Sequence, residues 1–373
     1  MNILFFFGTR PEAIKMAPLI KELQRHPDAF EVKVCVSAQH REMLDQVLDF
    51  FEIRPDFDLN IMKPGQDLFD ITAMALQGIR EVFLSYRPDW LFVQGDTTTT
   101  FAGALGAFYE KVRVAHIEAG LRSFNRQSPF PEETNRILTT HLSDLHFAPT
   151  DTARRNLLRE GIPPDRVFVV GNTSIDALFL CLKLIEGKGR HDVESLRPVN
   201  FAKKIILVTG HRRESFGAPF EDICHALREI ALEKDVEIVY PVHLNPNVQK
   251  PVFGILRGIP NIHLIEPLDY SSFVWLMNKS CLIITDSGGV QEEAPSLGKP
   301  VLVMREVTER VEGVEAGTAV LVGTDRGRIV AGARRLLSDR GEYERMARAV
   351  NPYGDGTACR KIAEKLAAFQ LNS

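Results

Sequence analysis

The stretch Leu282-Ile283-Ile284-Thr285-Asp286-Ser287-Gly288-Gly289-Val290-Gln291-Glu292-Glu293-Ala294-Pro295 reads as a buried strand, a tight turn and the start of a helix. Its first four residues are consecutive apolar or β-branched positions without polar alternation, which suits a parallel strand covered on both faces. The Ser287-Gly288-Gly289 turn exposes backbone N–H groups at a helix start, a geometry that accepts a diphosphate. Glu293, near the start of that helix, is placed to accept hydrogen bonds from ribose hydroxyls.

The same strand–turn–helix unit recurs along the chain. Apolar runs fall at 3–7, 32–36, 90–93, 112–115, 145–147 and 167–170, and again at 205–208, 237–240, 262–265, 282–285, 301–303 and 319–322. Helical spacing lies between them, as in Met43, Val47, Leu48 and Phe51, or Phe220, Ile223, Cys224, Leu227, Ile230 and Ala231. This alternation is the mark of doubly wound α/β domains. A polar stretch at 188–204 with Pro198 precedes the second series of strands. The expectation is two Rossmann-like domains, 1–171 and 172–356, with an active-site cleft between them. After Pro352 comes a turn, Tyr353-Gly354-Asp355-Gly356, then an amphipathic helix with Ile362, Leu366 and Phe369 on one side.

Composition narrows the function. In 373 residues, 45 Lys and Arg against 49 Asp and Glu leave a net charge of −4, so nucleic acid is not an expected partner. The run 3–7 is too short for a membrane span or a signal peptide. Five scattered cysteines without a CxxC suit a reducing cytoplasm, and neither they nor the histidines have metal-ligand spacing. No metal and no cofactor are expected.

Ligands of open α/β sheets bind beyond the carboxyl ends of the strands. Gly8-Thr9-Arg10-Pro11-Glu12-Ala13-Ile14-Lys15 is a strand-to-helix turn, but neither a dinucleotide fingerprint nor a Walker loop. Arg10 stands at the strand end, where a ligand phosphate would sit; Lys15 by itself reads as a solvated cation. Whether the helix starts at Pro11 or only at Pro18 is open. Asp96 follows the strand at 90–93, and taken alone it is an N-cap. Two further acids change that: Glu118 after the run at 112–115, and one of Glu132 or Glu133 after a loop whose prolines flank Phe130 and favour an extended path. Converging carboxylates raise one another's pKa, which supplies an acid and a base near neutral pH. His211, the first side chain after Gly210 beyond the strand at 205–208, has two arginines after it and suits a phosphate-facing role; His243 reads as structural.

The nucleotide turn with Glu293 and Lys299-Pro300-Val301 looks like the nucleotide-sugar half of a GT-B fold. At full length the chain resembles the non-hydrolysing UDP-N-acetylglucosamine 2-epimerases. The matching blocks are GTRPEAIKMAP (8–18), AQHREMLDQVL (38–48), GDTTTT (95–100), HIEAGLRS (116–123), PEETNR (131–136), GHRRESFG (210–217), PVHLNPNV (241–248) and DSGGVQEEAPSLGKPVL (286–302). The resemblance implies a GT-B fold and a homodimer. It also implies that the last helix (357–373) packs back on the first domain. The implied reaction is reversible conversion of UDP-N-acetylglucosamine to UDP-N-acetylmannosamine, by elimination of UDP to 2-acetamidoglucal and re-addition, serving cell-surface polysaccharide synthesis. By motif, Asp96, Glu118, Glu132 and His211 become catalytic. Arg10 and Lys15 join the pocket, Ser287, Gly288 and Gly289 hold phosphates, Glu293 the ribose, Phe273 the uracil and Arg310 the diphosphate or sugar.

Three features depart from the pattern. Val311 replaces a usual proline, which is expected to loosen the loop carrying Arg310, and Phe130 replaces a usual tryptophan. Glu42 and Gly65-Gln66 stand where relatives with a second, activating substrate site have glutamine and an Arg-Gln pair, so altered activation is expected. Competing readings are a hydrolysing relative releasing N-acetylmannosamine, an epimerase of a diacetamido-uronic acid nucleotide, a GT-B glycosyltransferase, and a silent UDP-sugar sensor.

Overall fold

The computed structural model describes residues 1–38, 41–187 and 193–371. Gln39 and His40 of the Gln-His-Arg block, 188–192 of the polar stretch, and the last two residues of the tail lie outside the described residues. The chain forms two compact units, Met1–Leu180 with Tyr353–Ser373, and Cys181–Pro352.

The first unit is built on seven strands: β1 (Asn2–Phe7), β2 (Glu31–Val36), β3 (Phe57–Asp58), β4 (Trp90–Gln94), β5 (Arg113–Ile117), β6 (Leu145–Ala148) and β7 (Val167–Val169). They lie in the order β3-β2-β1-β4-β5-β6-β7, every pairing parallel. The winding reverses between β1 and β4, the crevice where an open sheet accepts a ligand. Ile3 to Phe7 are all fully buried, as consecutive apolar residues must be when helices cover both faces. Parallel pairing then puts the loops after β1, β4 and β5 on one edge of the sheet.

The second unit repeats the plan with β8 (Lys204–Thr209), β9 (Val236–Pro241), β10 (Ile262–Ile265), β11 (Leu282–Thr285), β12 (Val301–Val303) and β13 (Ala319–Leu321). The order is β10-β9-β8-β11-β12-β13, again all parallel, with the reversal between β8 and β11. The loops carrying His211 and Ser287 leave these two strands. Phe220, Ile223, Cys224, Leu227 and Ile230, the expected apolar face, are buried from the helix Ala218–Ile230. Among the described residues no helix is long and apolar enough to cross a membrane.

Four details differ from the sequence reading or complete it. β5 runs on to Ile117, so His116 lies inside the sheet and Glu118 is the first residue past it. β3 has two residues, too few to leave a pattern. In the helix Arg41–Phe50 the inward positions are Leu44, Val47 and Leu48, continued by Phe51, while Met43 is one position off that stripe and is exposed. The first helix is Arg10–Gln24, with Pro11 in its first turn, where a missing N–H costs nothing, and Pro18 inside it. An interior proline costs about 3 kcal/mol, and the buried Met16, Ala17, Leu19 and Ile20 around it offset that.

The last helix, Ala358–Leu371, belongs to the first unit. Ile362 and Leu366 are fully buried, and Phe369 meets Trp90 edge-on at 5.9 Å. Its first turn is capped from outside the helix: Asp176 Oδ1 accepts from Cys359 N at 2.9 Å and Oδ2 from Ala358 N at 3.2 Å. The prediction is that Leu366→Ala lowers stability by about 2–5 kcal/mol, read as a reduced urea midpoint at unchanged m-value.

Candidate active site

In the first unit the loops after β1 and β4 are joined by Glu12, a fully buried carboxylate. Its Oε2 accepts from Gly8 N, Thr9 N and Thr9 Oγ1 at 3.0, 2.8 and 2.8 Å; its Oε1 accepts from Thr97 Oγ1 at 2.7 Å and Thr100 Oγ1 at 3.0 Å. Burial pushes this carboxyl up from its ordinary value, and the donors pull it back. Thr97 also caps the helix Thr98–Tyr109 by accepting from Thr100 N. Sequence reasoning passed over Glu12, although Thr9-x-x-Glu12 has the spacing of a capping box.

Asp96 follows directly. Its Oδ2 accepts from Arg136 Nε at 2.8 Å, and Asn135 Nδ2 donates to its carbonyl at 2.9 Å. The same guanidinium reaches Glu133 Oε2 through Nη1 at 2.8 Å. Glu133 is buried and also accepts from Ser123 N and Phe124 N, both at 2.9 Å, and these donors with Arg136 hold its carboxyl below the ordinary value against the burial that opposes them. Glu132, its neighbour, has a buried Oε2 with no hydrogen-bond partner. The two acids left open by the sequence are thereby told apart: Glu133 ties a loop and a clamp together, whereas Glu132 has an unmet acceptor. The loop before them is turned rather than extended. Ser123 Oγ donates to Ser128 O at 2.7 Å, and the peptide bonds before Pro129 and Pro131 are cis. Phe130 is exposed.

Glu118 has a left-handed backbone, φ 62°, uncommon for a non-glycine residue. Its Oε2 is paired with Lys15 Nζ and accepts from Asn172 Nδ2 at 3.0 Å. Lys15 is thus an ion-pair partner rather than a solvated cation. Arg10 is half-buried at the crevice and has no ion-pair partner among the described residues. Behind these loops, His116 Nε2 lies 2.7 Å from Gly95 O, so that nitrogen carries the proton and donates. Gly95 N in turn donates to Ile117 O at 3.0 Å. Gly95, at φ 70°, is a position that suits glycine.

In the second unit a buried carboxylate again spans the reversal. Asp286 Oδ2 accepts from His211 N at 2.7 Å and Arg212 N at 2.8 Å, and Oδ1 lies 3.4 Å from His211 Nδ1. The His211 ring stacks on His243 at 5.2 Å. Burial is the main reason its pKa lies below the ordinary histidine value; Asp286 opposes the shift, and His243 and Arg212 add to it. Ser287 precedes the helix Gly288–Glu293 without a side-chain capping bond, and Ser287 N donates to Thr285 Oγ1 at 2.9 Å. A Cβ on Gly288 would stand 3.1 Å from the Arg310 guanidinium carbon, so only glycine leaves that side chain its place. Gly289 and Glu293 are one turn apart on the same helix, and Phe273 is partly exposed on the helix Tyr270–Lys279.

Val311 does not leave the Arg310 loop unfastened. Thr308 Oγ1 donates to Gln291 Oε1 at 2.8 Å, Arg305 binds both Glu214 and Glu309 at 2.8 Å, and Arg310 Nε donates to Glu292 Oε1 at 2.8 Å. Arg305 pulls the Glu309 carboxyl down to about 2. Glu42 is exposed and Gln66 is half-buried.

Two Rossmann-like units, with clustered acids at the reversal of one sheet and a glycine turn with arginine at that of the other, define an α/β protein of the GT-B type. The sequence model described as UDP-N-acetylglucosamine 2-epimerase matches residues 21–367, and the chain belongs to that family. It is 57% identical to the UDP-N-acetylglucosamine 2-epimerase of Salmonella typhimurium, over 100% of both chains. A crystal structure of a putative UDP-N-acetylglucosamine 2-epimerase from Listeria monocytogenes superposes with a TM-score of 0.93, at 47% identity over 100% of this chain and 97% of that one. The UDP-GlcNAc 2-epimerase from Neisseria meningitidis, solved bound to UDP-GlcNAc, gives 0.88 at 50% identity, over 99% of this chain and 100% of its own.

Two predictions follow from the geometry of the first unit. Glu133→Ala strands two backbone donors and takes away one of the two carboxylates that hold the half-buried Arg136, and is expected to cost about 3 kcal/mol, while Glu132→Gln leaves the urea midpoint near that of the wild type. Burial holds His116 down to about 3, against 6.5 when free. Between those values the unfolded chain binds the extra proton, so stability falls as pH falls, by about 1 kcal/mol per pH unit. His116→Gln keeps a donor for Gly95 O but does not titrate, and is expected to lose less stability than the wild type when the pH is lowered from about 7 to about 5.

Proposed function

We propose that this chain interconverts UDP-N-acetylglucosamine and UDP-N-acetylmannosamine. The observation that carries the proposal is the trio Asp96, Glu118 and Glu132 at one edge of the first sheet, in a chain 57% identical over its full length to an enzyme of that name. The C2–H of the sugar is poorly acidic, so the reaction begins at the anomeric carbon. The C1–O bond breaks and UDP departs with the electron pair. A carboxylate takes the proton from C2, and the C2–H electrons become the C1=C2 bond of 2-acetamidoglucal. UDP oxygen then returns to C1 as a second carboxyl group delivers a proton to the other face of C2. Atoms and electrons balance with no oxidant and no cofactor.

The roles divide by chemistry. Asp96, Glu118 and Glu132 supply the acid and base, with Lys15 paired to Glu118 and Arg136 to Asp96. Arg10, without a carboxylate partner among the described residues, is placed to stabilise the departing phosphate. In the second unit Ser287, Gly288 and Gly289 hold phosphates, Glu293 the ribose, Phe273 the uracil, and Arg310 the diphosphate. His211 stands ready to bond the leaving diphosphate, whose charge favours the imidazolium that burial disfavours. The exposed Phe69, Leu84, Phe108 and Tyr109 of the helices Leu68–Ser85 and Thr98–Tyr109 support a homodimer. Five free cysteines, four of them buried, suit a reducing cytoplasm, where nucleotide sugars for surface polysaccharides are made.

The test is proton NMR of UDP-N-acetylglucosamine incubated with the purified protein in D2O. UDP-N-acetylmannosamine carrying deuterium at C2 is the expected product. Free N-acetylmannosamine with stoichiometric UDP would instead mark a hydrolase. Asp96→Asn and Glu118→Gln are each expected to lower kcat by about a hundredfold to ten-thousandfold.

A further inference from the structure

Glu118 is held from two sides. Lys15 reaches it from the helix Arg10–Gln24, and Asn172 from the turn that precedes the helix Thr173–Gly187. Both address the same oxygen, Oε2. Asn172 is buried, and its side chain is used twice: Nδ2 donates to Glu118, and Oδ1 accepts from Ser174 N at 3.1 Å. An amide whose oxygen is committed to a backbone N–H can present only its NH2 to the carboxylate. Its backbone is fixed as well, since Asn172 N donates at 2.7 Å to the carbonyl of Tyr353, the first residue of the segment that re-enters the first unit. Gly171 and Gly354 pack closely there: a Cβ on Gly171 would lie 3.3 Å from Gly354 Cα.

We infer that Asn172 is a positioning residue for Glu118, whose amide sets the orientation and charge of that carboxylate and ties it to the returning segment at Tyr353. The inference rests on the role given to Glu118 in the proposed epimerisation. An ion pair with Lys15 alone leaves the carboxylate free to swing about the ammonium, because a lysine is a point charge with rotatable donors. The amide adds a second, directional donor from a rigid turn. Since Glu118 already has an uncommon backbone conformation, a directional partner is what keeps its side chain in one place for proton transfer at C2.

Two variants test this. Asn172→Asp is isosteric and keeps the cap on Ser174, but sets a carboxylate oxygen against Glu118. Asn172→Ser keeps a capping oxygen and deletes the amide donor. The titratable groups beside Glu118 include Lys15 and, in the strand that precedes it, the buried His116. For both variants, kcat, KM and C2 deuterium exchange are measured across pH, together with thermal unfolding. The expected result is KM within about threefold of wild type and kcat lowered about tenfold in Asn172→Ser. In Asn172→Asp, kcat falls by about a hundredfold at neutral pH and recovers as acid protonates the new carboxyl and restores a donor. Equal kcat in wild type and both variants overturns the inference. So does an equal loss in both with no pH dependence, which is the mark of a merely structural residue. If Asn172→Ser does not fold, the pH response of Asn172→Asp decides alone. Wild-type protein that shows no exchange and no epimerisation overturns the parent reading and this one with it.

Discussion

A buried carboxylate without a cation has to be satisfied by hydrogen bonds, and Glu12 is satisfied only if two loops take one arrangement. Gly8 and Thr9 come from the end of β1, Thr97 and Thr100 from the start of the helix after β4. These strands flank the reversal of the first sheet, so the clasp sets the floor of the crevice at which Arg10 and Asp96 stand. The second unit uses Asp286 in a like place: its Oδ2 bonds the backbone of His211 and Arg212 across the reversal between β8 and β11, while its buried Oδ1 has no hydrogen-bond partner. In both units a buried acid fastens the loops that leave the reversal of the sheet.

Around those clasps the charged side chains fall into two groups. Glu133, Arg136, Arg305 and Glu309 are bound to one another or to backbone, and their work is to hold loops. Glu132 keeps an unmet buried acceptor, and Arg10 has no carboxylate partner among the described residues. Unmet polar groups at a strand edge cost stability, and a site that binds a charged ligand is where that cost is recovered. Arg10 and Glu132 are thereby set apart from residues of the same type a few positions away.

Much of this was legible in one dimension. Consecutive apolar runs with helical spacing between them fit parallel strands with covered faces, so the fold class, the positions of Arg10, Asp96, His211 and Ser287, and the glycine turn at a helix start all follow from order along the chain. The reading failed where the deciding contact was distant in sequence. His116 looked like a loop residue because a histidine breaks an apolar run, yet Gly95 O, 21 residues away, gives its ring a partner inside the sheet. Met43 was one position off the buried stripe that Leu44 completes. Asn172 carried no signal of its bonds to Glu118 and Tyr353, both distant in sequence.

The chain's own order therefore determined the alternation of strands and helices, the two series of strands, the Ser-Gly-Gly turn and the set of acids at strand ends, because each is a matter of local pattern and of which residue follows a strand. The tertiary structure alone decided that Glu133 is a clamp and Glu132 is not, that Lys15 neutralises Glu118, and that the Arg310 loop is fastened without a proline. Each of those outcomes is a hydrogen bond, ion pair or packing contact between segments whose separation in sequence says nothing of their separation in space.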